Sequence, residues 1–73
     1  MNNILLRWIK LRFLNTNVTD ERTFAMLLNK FSEGMCTFEV TTSNINVFDE
    51  KQLVGTYDYV INGGFITSIK HHV

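Results

Sequence analysis

The sequence predicts an α+β fold in which one amphipathic helix packs on a mainly antiparallel sheet of four to five strands, in the order β-α-β-β-β-β. Apolar residues recur at helical spacing in one segment and alternate with polar residues over the second half of the chain. An Asn-Gly-Gly sequence separates two of the strand-like segments. A chain of 73 residues forms one domain at most, and we assign residues 1–73 to a single domain.

The opening segment, residues 3–14, is predicted to be the first strand. In a strand, four apolar side chains share one face: Leu5, Ile9, Leu11 and Phe13. In a helix, Arg12 would lie about 140° from Arg7 and about 160° from Lys10, so the cations would not form one face. The turn-rich sequence NTNVTD follows and leads into the next element. A basic helix on a membrane surface is the alternative interpretation.

The clearest element is a helix near residues 20–33. Its apolar side chains fall at i, i+3, i+4 and i+7 and form one stripe: Phe24, Leu27, Leu28 and Phe31. Thr19 or Asp20 can accept hydrogen bonds from the first free amides, and Gly34 can take the left-handed conformation that closes the helix. Arg22, Lys30 and Glu33 are then expected to face water.

After Gly34 the period of the pattern changes to two, which predicts strands. The inward residues of the first of them are Cys36, Phe38 and Val40. A turn at TSN leads into a short strand that contains Ile45 and Val47. Two further strands flank the Asn-Gly-Gly sequence.

The register of this last hairpin follows from the burial of apolar residues. A three-residue loop, 62–64, would pair Ile61 with Phe65 and Tyr57 with Ile69, which collects one apolar face. A two-residue Asn-Gly loop would divide the apolar residues between both faces. The sequence therefore predicts the longer loop.

Composition and charge limit the classes of function. Seven Lys and Arg balance seven Asp and Glu, so the formal net charge of zero gives no general attraction to nucleic acid or anionic lipid. Arg7, Lys10 and Arg12 make the first fourteen residues +3, which leaves four cations against seven acids, or −3, in the remainder. A single cysteine cannot form an internal disulfide, so the usual remaining support for so small a domain is a ligand or a second chain. No segment approaches the roughly 20 apolar residues of a membrane span, and we predict a cytoplasmic protein.

The residues that can carry chemistry do not form a recognisable catalytic or cofactor site. A strand pattern follows Asn-Gly-Gly, whereas a phosphate-binding loop leads into a helix. His71 and His72 are neighbours on a strand and point to opposite faces, so they do not predict a metal site. Cys36 has the phase of a core residue, and the carboxylates Glu39 and Asp58 lie singly on outward faces. We therefore predict a protein that is not an enzyme, with no cofactor, no metal and no small-molecule substrate.

Partner binding is assigned to four residues of the opening segment: Arg7, Trp8, Lys10 and Arg12. Trp8 is compatible with three environments, namely burial under the helix stripe, a protein interface, or stacking on a nucleic-acid base beside cations. The leading hypothesis is a small interaction module, an inhibitor or adaptor of the kind that phages and mobile elements encode. It would occupy a surface of another protein through a strand edge or the first strand, or form a homodimer. The alternative is a nucleic-acid-binding protein that contacts phosphates with these cations and Lys70.

Overall fold

The computed structural model describes residues 3–72, and over this range the chain forms two helices followed by four strands. The helices are α1 (Asn3–Phe13) and α2 (Glu21–Phe31), and the strands are β1 (Thr37–Val40), β2 (Asn44–Asp49), β3 (Gln52–Asn62) and β4 (Phe65–His71). The α+β class and the antiparallel sheet are confirmed. The predicted element order is wrong, because a second helix stands where a strand was expected.

The strand predicted for residues 3–14 is wrong, since Asn3–Phe13 is helix α1. The segment is so rich in apolar residues that it also contains a helical stripe at a spacing of four: Leu5, Ile9 and Phe13. Leu, Arg and Lys, which dominate the segment, are strong helix formers. Lys10 and Arg12 lie in the last turn, where cations interact favourably with the helix dipole. Asn15 follows with φ 67° and ends the helix in the left-handed conformation.

Helix α2 confirms the predicted amphipathic helix. The Asp20 carboxylate accepts a hydrogen bond from the Thr23 amide at 2.8 Å, and this cap lowers the pKa of Asp20. At the other end Glu33 takes a left-handed φ of 54°, one residue before Gly34 at 82°. The turn out of α2 therefore uses two consecutive left-handed residues and not Gly34 alone.

The strands form an antiparallel meander in the order β1-β2-β3-β4, and both helices pack against one face of it. The buried residues that the sheet contributes are Phe38, Ile45, Val47, Tyr57, Tyr59, Ile66 and Ile69. The helices and their connection contribute Ile9, Phe13, Val18, Phe24 and Leu28. This single core sits between the helices and the sheet and leaves the other sheet face to solvent.

The β3–β4 hairpin has a shorter loop than predicted. Gly63 and Gly64 form a two-residue turn with φ values of 63° and 83°, and Ile61 pairs with Ile66. The predicted pairs of Ile61 with Phe65 and Tyr57 with Ile69 do not form. Thr67 is an extra residue in β4, and this bulge allows Ile66 and Ile69, three positions apart, to point into the same core.

The outer edge of β4 is partly covered by the connection between the two helices. The Asn15 amide donates to the Ile66 carbonyl at 2.6 Å, and the Ile66 amide donates to the Thr16 carbonyl at 3.0 Å. Asn17 forms a further antiparallel bridge with Phe65. These backbone groups of β4 are therefore not available to an added strand.

The outer edge of β1 is covered by one side chain of α2. Asn29 Oδ1 accepts from the Phe38 amide at 2.9 Å, and Asn29 Nδ2 donates to the Phe38 carbonyl at 3.1 Å. The side-chain amide thus satisfies both backbone groups of Phe38, as a neighbouring strand would.

Tyr57 and Tyr59 are both buried on one face of β3, but only one hydroxyl has a partner. Tyr59 donates to the Thr41 carbonyl at 2.5 Å, whereas the buried Tyr57 hydroxyl has no partner among the described residues. We expect Tyr59→Phe to lower the free energy of unfolding by about 1 kcal/mol and Tyr57→Phe to raise it by about 1 kcal/mol. Urea unfolding of the two variants measures the difference. A loss of stability in Tyr57→Phe would show that its hydroxyl is satisfied in solution.

Candidate functional site

Helix α1 divides the four predicted partner-binding residues between its two sides. Trp8 and Arg12 line a groove between α1 and the end of α2. Arg7 and Lys10 line a shallow hollow on the opposite side of α1. The structure therefore does not gather the three cations into one patch.

The groove, called the α1 groove below, has a volume of about 760 Å³. Its first wall belongs to α1 and contains Ile4, Leu5, Trp8 and Arg12. The opposite wall contains Phe31, Glu33 and Met35, and Asp49 and Val54 also line the groove. Buried Phe38 and half-buried Cys36 form the floor. The groove is therefore mainly apolar, with a cation on one wall and acids elsewhere on its border.

Trp8 connects the core to the α1 groove. Its side chain is half-buried, and its ring centroid lies 6.0 Å from that of Phe13 and 6.3 Å from that of Phe38. The part of the ring that remains accessible lines the groove. The ring packs against its own core and, unlike the free aromatic platforms of single-strand binders, exposes only part of its surface.

Arg12 covers one end of the groove. Its guanidinium carbon lies 4.5 Å from the centroid of the Phe31 ring, a cation–π arrangement. Phe31 belongs to the predicted buried stripe of α2 but is 39% exposed. Its ring faces the groove edge under a cation.

The Cys36 thiol on the groove floor is a poor nucleophile. Burial raises the pKa of Cys36, and the nearby Asp49 carboxylate raises it further. The thiol therefore stays protonated near neutral pH. Cys36 was predicted to be a small core residue, and the structure places it half-buried at the edge of the core, one residue before β1.

Apolar and basic side chains share the exposed surface of α1, although a surface helix normally turns polar residues to water. Ile4 is 83% exposed and Leu11 is 80% exposed. With Trp8 between them, the spacing is four and then three residues, which is the spacing of a seam between paired helices. We call Ile4, Trp8 and Leu11 the α1 ridge. Across the groove, Met35 is 79% exposed and extends the apolar surface.

Charges of opposite sign flank the ridge and the groove. Arg7 and Lys10 lie in the hollow on one side, and Glu33 and Asp49 border the groove on the other. Within residues 3–72, the one contact between a basic and an acidic side chain is elsewhere, between His72 and Asp58. The four flanking charges are therefore without an ionic partner in the described part of the chain.

The solvent-facing side of the sheet has a different chemistry. Asp58 was predicted to lie singly on this face, which is wrong, because its carboxylate lies 2.8 Å from His72 Nδ1 and 2.6 Å from the Asn44 side-chain amide. His71 points to the opposite side and packs its ring 4.9 Å from that of Tyr57. Lys70 stands opposite Asp58 in the ladder and is separated by the sheet from the cations of α1. Exposed pairs of this kind contribute little to stability.

Two further findings concern the candidate site. Among the described residues, no three His, Cys, Asp or Glu side chains lie close enough together to hold a metal ion. Neither described helix combines the length and the apolar character needed to cross a bilayer.

Comparison of the chain with protein-family models, with curated proteins and with solved structures finds no match. The function has to be argued from the geometry and chemistry of the α1 ridge and the α1 groove.

Proposed function

We propose that the chain is a small non-enzymatic interaction module that docks an amphipathic helix of another polypeptide on the α1 ridge and in the α1 groove. The observation that carries the proposal is the exposure of Ile4 and Leu11, both above three quarters, on a helix whose other face is already buried. Complete burial of one such side chain is worth about 1.5–3 kcal/mol. A partner that covers the ridge therefore gains binding energy from side chains that the free chain leaves exposed to water.

The spacing of the ridge favours a helix as the occupant. A second helix packs its side chains between Ile4, Trp8 and Leu11, because residues four and three apart present holes to a neighbouring helix. The volume of the groove would also suit a small ligand. However, Leu11 lies on the far side of the ridge and lines the hollow, so a ligand confined to the groove would leave it exposed.

A module that docks a helix in this way acts by occupying the surface of that helix, without catalysis. A helix held on the ridge is withheld from its other contacts, which is how an inhibitor acts, or is brought to a new place, which is how an adaptor acts. The cytoplasmic location and the origin in a phage or mobile element remain predictions from the sequence.

The nucleic-acid alternative has less support from the geometry. Contacts to a phosphate backbone need cations that follow one path. Arg12 lies over Phe31 at the groove, whereas Arg7 and Lys10 lie beyond the ridge. The experiment below separates the two functions.

The test is affinity capture of the tagged chain from its host's lysate, with and without nuclease. The ridge variant carries Ile4→Asp and Leu11→Asp. The matched control carries Leu53→Asp and Val60→Asp, which replace two half-exposed apolar residues of β3. We expect the original chain and the control to retain the same protein, and the ridge variant to retain about tenfold less or none.

A photo-crosslinking amino acid at position 11 then shows whether the captured protein touches the ridge. Equal capture by the ridge variant, with its helical circular dichroism intact, would exclude this face. A signal that consists of nucleic acid, or that disappears with nuclease, would establish the alternative function.

A further inference from the structure

We infer that a second copy of the chain occupies this docking surface, so that the protein forms a two-fold symmetric dimer with the α1 ridge of each copy in the α1 groove of the other. The inference rests on the proposed docking function and names the helix that is docked. It would also mean that any other partner competes with self-association for the same surface.

Shape is the first argument for a second copy. A ridge and a groove of matching character lie side by side on one surface, which is the arrangement that a two-fold interface requires. A two-fold axis parallel to α1 sets each ridge into the opposite groove. Ile4 and Leu11 of one copy then pack near Trp8, Phe31 and Met35 of the other.

Charge is the second argument, and it selects this arrangement. Across the surface the order is basic hollow, ridge, groove and acidic border. The same axis places Arg7 and Lys10 of one copy against Glu33 and Asp49 of the other, two cations against two acids. An antiparallel packing of ridge on ridge would place Arg7 against Arg7. Complementary charges favour the first arrangement, and like charges disfavour the second.

The size of the chain is the third argument. At 73 residues, folding removes only about 60% of the unfolded surface from water. The single cysteine rules out an internal disulfide as an additional support. A second copy supplies the missing apolar contact, because its own ridge is as exposed as the first.

The test uses charge exchange and sedimentation. The basic-side variant carries Arg7→Glu and Lys10→Glu, and the acidic-side variant carries Glu33→Lys and Asp49→Lys. All four residues are exposed, so substitutions there are expected to leave the fold intact, which circular dichroism checks. Sedimentation velocity over a range of concentrations gives the dimer dissociation constant.

We expect the original chain to dimerise and each variant alone to dimerise at least about 30-fold more weakly, because like charges then face each other. An equimolar mixture of the two variants is expected to recover the dimer, since the acidic hollow of one variant faces the basic border of the other, and the acidic border of the first faces the basic hollow of the second. A single chain with all four substitutions is expected to recover it as well.

Three results would overturn the inference. The first is an original chain that is monomeric at all concentrations. The second is a dimer whose dissociation constant is unchanged in both charge variants. The third is an equimolar mixture of the two variants that stays monomeric. A monomer that binds phosphatidylglycerol vesicles through the ridge would assign the surface to a membrane instead. A monomer that still captures another protein through Ile4 and Leu11 would overturn the dimer and leave the proposed function standing.

Discussion

Phe24→Ala is expected to destabilise the protein severely, by about 3–5 kcal/mol. Phe24 is 0% exposed, and its ring centroid lies 5.4 Å from that of Phe13 and 5.1 Å from that of Tyr59. Removing a buried phenylalanine ring costs about 3–5 kcal/mol. A domain of 73 residues has a total stability of roughly 4–11 kcal/mol, at about 0.05–0.15 kcal/mol per residue. One substitution therefore removes a large part of the stability, because Phe24 joins α1, α2 and β3 at one point.

Circular dichroism during thermal and urea unfolding measures the effect. Met26→Ala is the matched control, because Met26 lies two residues away on the same helix and is 61% exposed. We expect the control to change stability by no more than about 0.5 kcal/mol. Phe24→Leu, which keeps much of the volume, is expected to fall between the two. Equal losses for Phe24→Ala and Met26→Ala would contradict the packing of α2 on the sheet.

The sequence predicts α2 correctly because every determinant of that helix is local. The apolar stripe contains Phe24 and Leu28, which are both buried, and the Asp20 carboxylate accepts the capping hydrogen bond from the Thr23 amide, three residues away. Such short-range features can be recognised in a single sequence. Phe31 departs from the pattern: it is 39% exposed, and Arg12, distant in sequence, lies over its ring.

The prediction for α1 fails because the segment is apolar at both periods. Leu5, Ile9 and Phe13 lie on one side in a strand and also in a helix. The lack of a cationic face does not exclude a helix, because a core helix needs an apolar face and not a charged one. Tertiary packing on the sheet decides between the two structures, and single-sequence patterns do not contain it.

The two hairpins that include β3 show which features of a turn can be predicted from the sequence. Gly63 and Gly64 indicate a turn in the sequence. The register, however, is set by the bulge at Thr67, and no residue type predicts where a bulge forms. Between β2 and β3 the turn residues are Glu50 and Lys51, with φ values of 50° and 70°. These residue types rarely adopt left-handed conformations, so the flanking strands impose the turn.

The surface formed by the α1 ridge and the α1 groove can be predicted from the sequence only in part. Trp8 and Arg12 were predicted to bind a partner and do line the groove, whereas Ile4 and Leu11 were missed. Their spacing with Trp8, four and three residues, would have shown the ridge once the segment was recognised as a helix. No local sequence pattern predicts the opposite wall of the α1 groove, because the tertiary fold brings Met35 to the groove.

Asn29→Ala is expected to lower the free energy of unfolding by about 2 kcal/mol, although the residue lies on the exposed side of α2. The side chain holds the Phe38 amide and carbonyl and also donates to the Ala25 carbonyl at 2.8 Å. Alanine leaves the two Phe38 backbone groups without these partners and releases α2 from β1. Urea unfolding measures the loss. Lys30→Ala, at the neighbouring exposed position, is the control and is expected to have little effect.

The same substitution is expected to expose the edge of β1, so the variant should self-associate more than the original chain. Asn29→Asp keeps the acceptor for the Phe38 amide but replaces the donor with an anionic oxygen beside the Phe38 carbonyl, and it is not expected to restore stability. Light scattering is then measured on Asn29→Ala and Asn29→Asp, each combined with Arg7→Glu and Lys10→Glu. This background separates association through the β1 edge from association through the α1 ridge. Association through the β1 edge is expected to persist in this background, which would break the proposed ridge dimer, because backbone pairing does not depend on those charges. Asn29→Ala with the stability of the original chain would show that Asn29 does not hold the edge of the sheet.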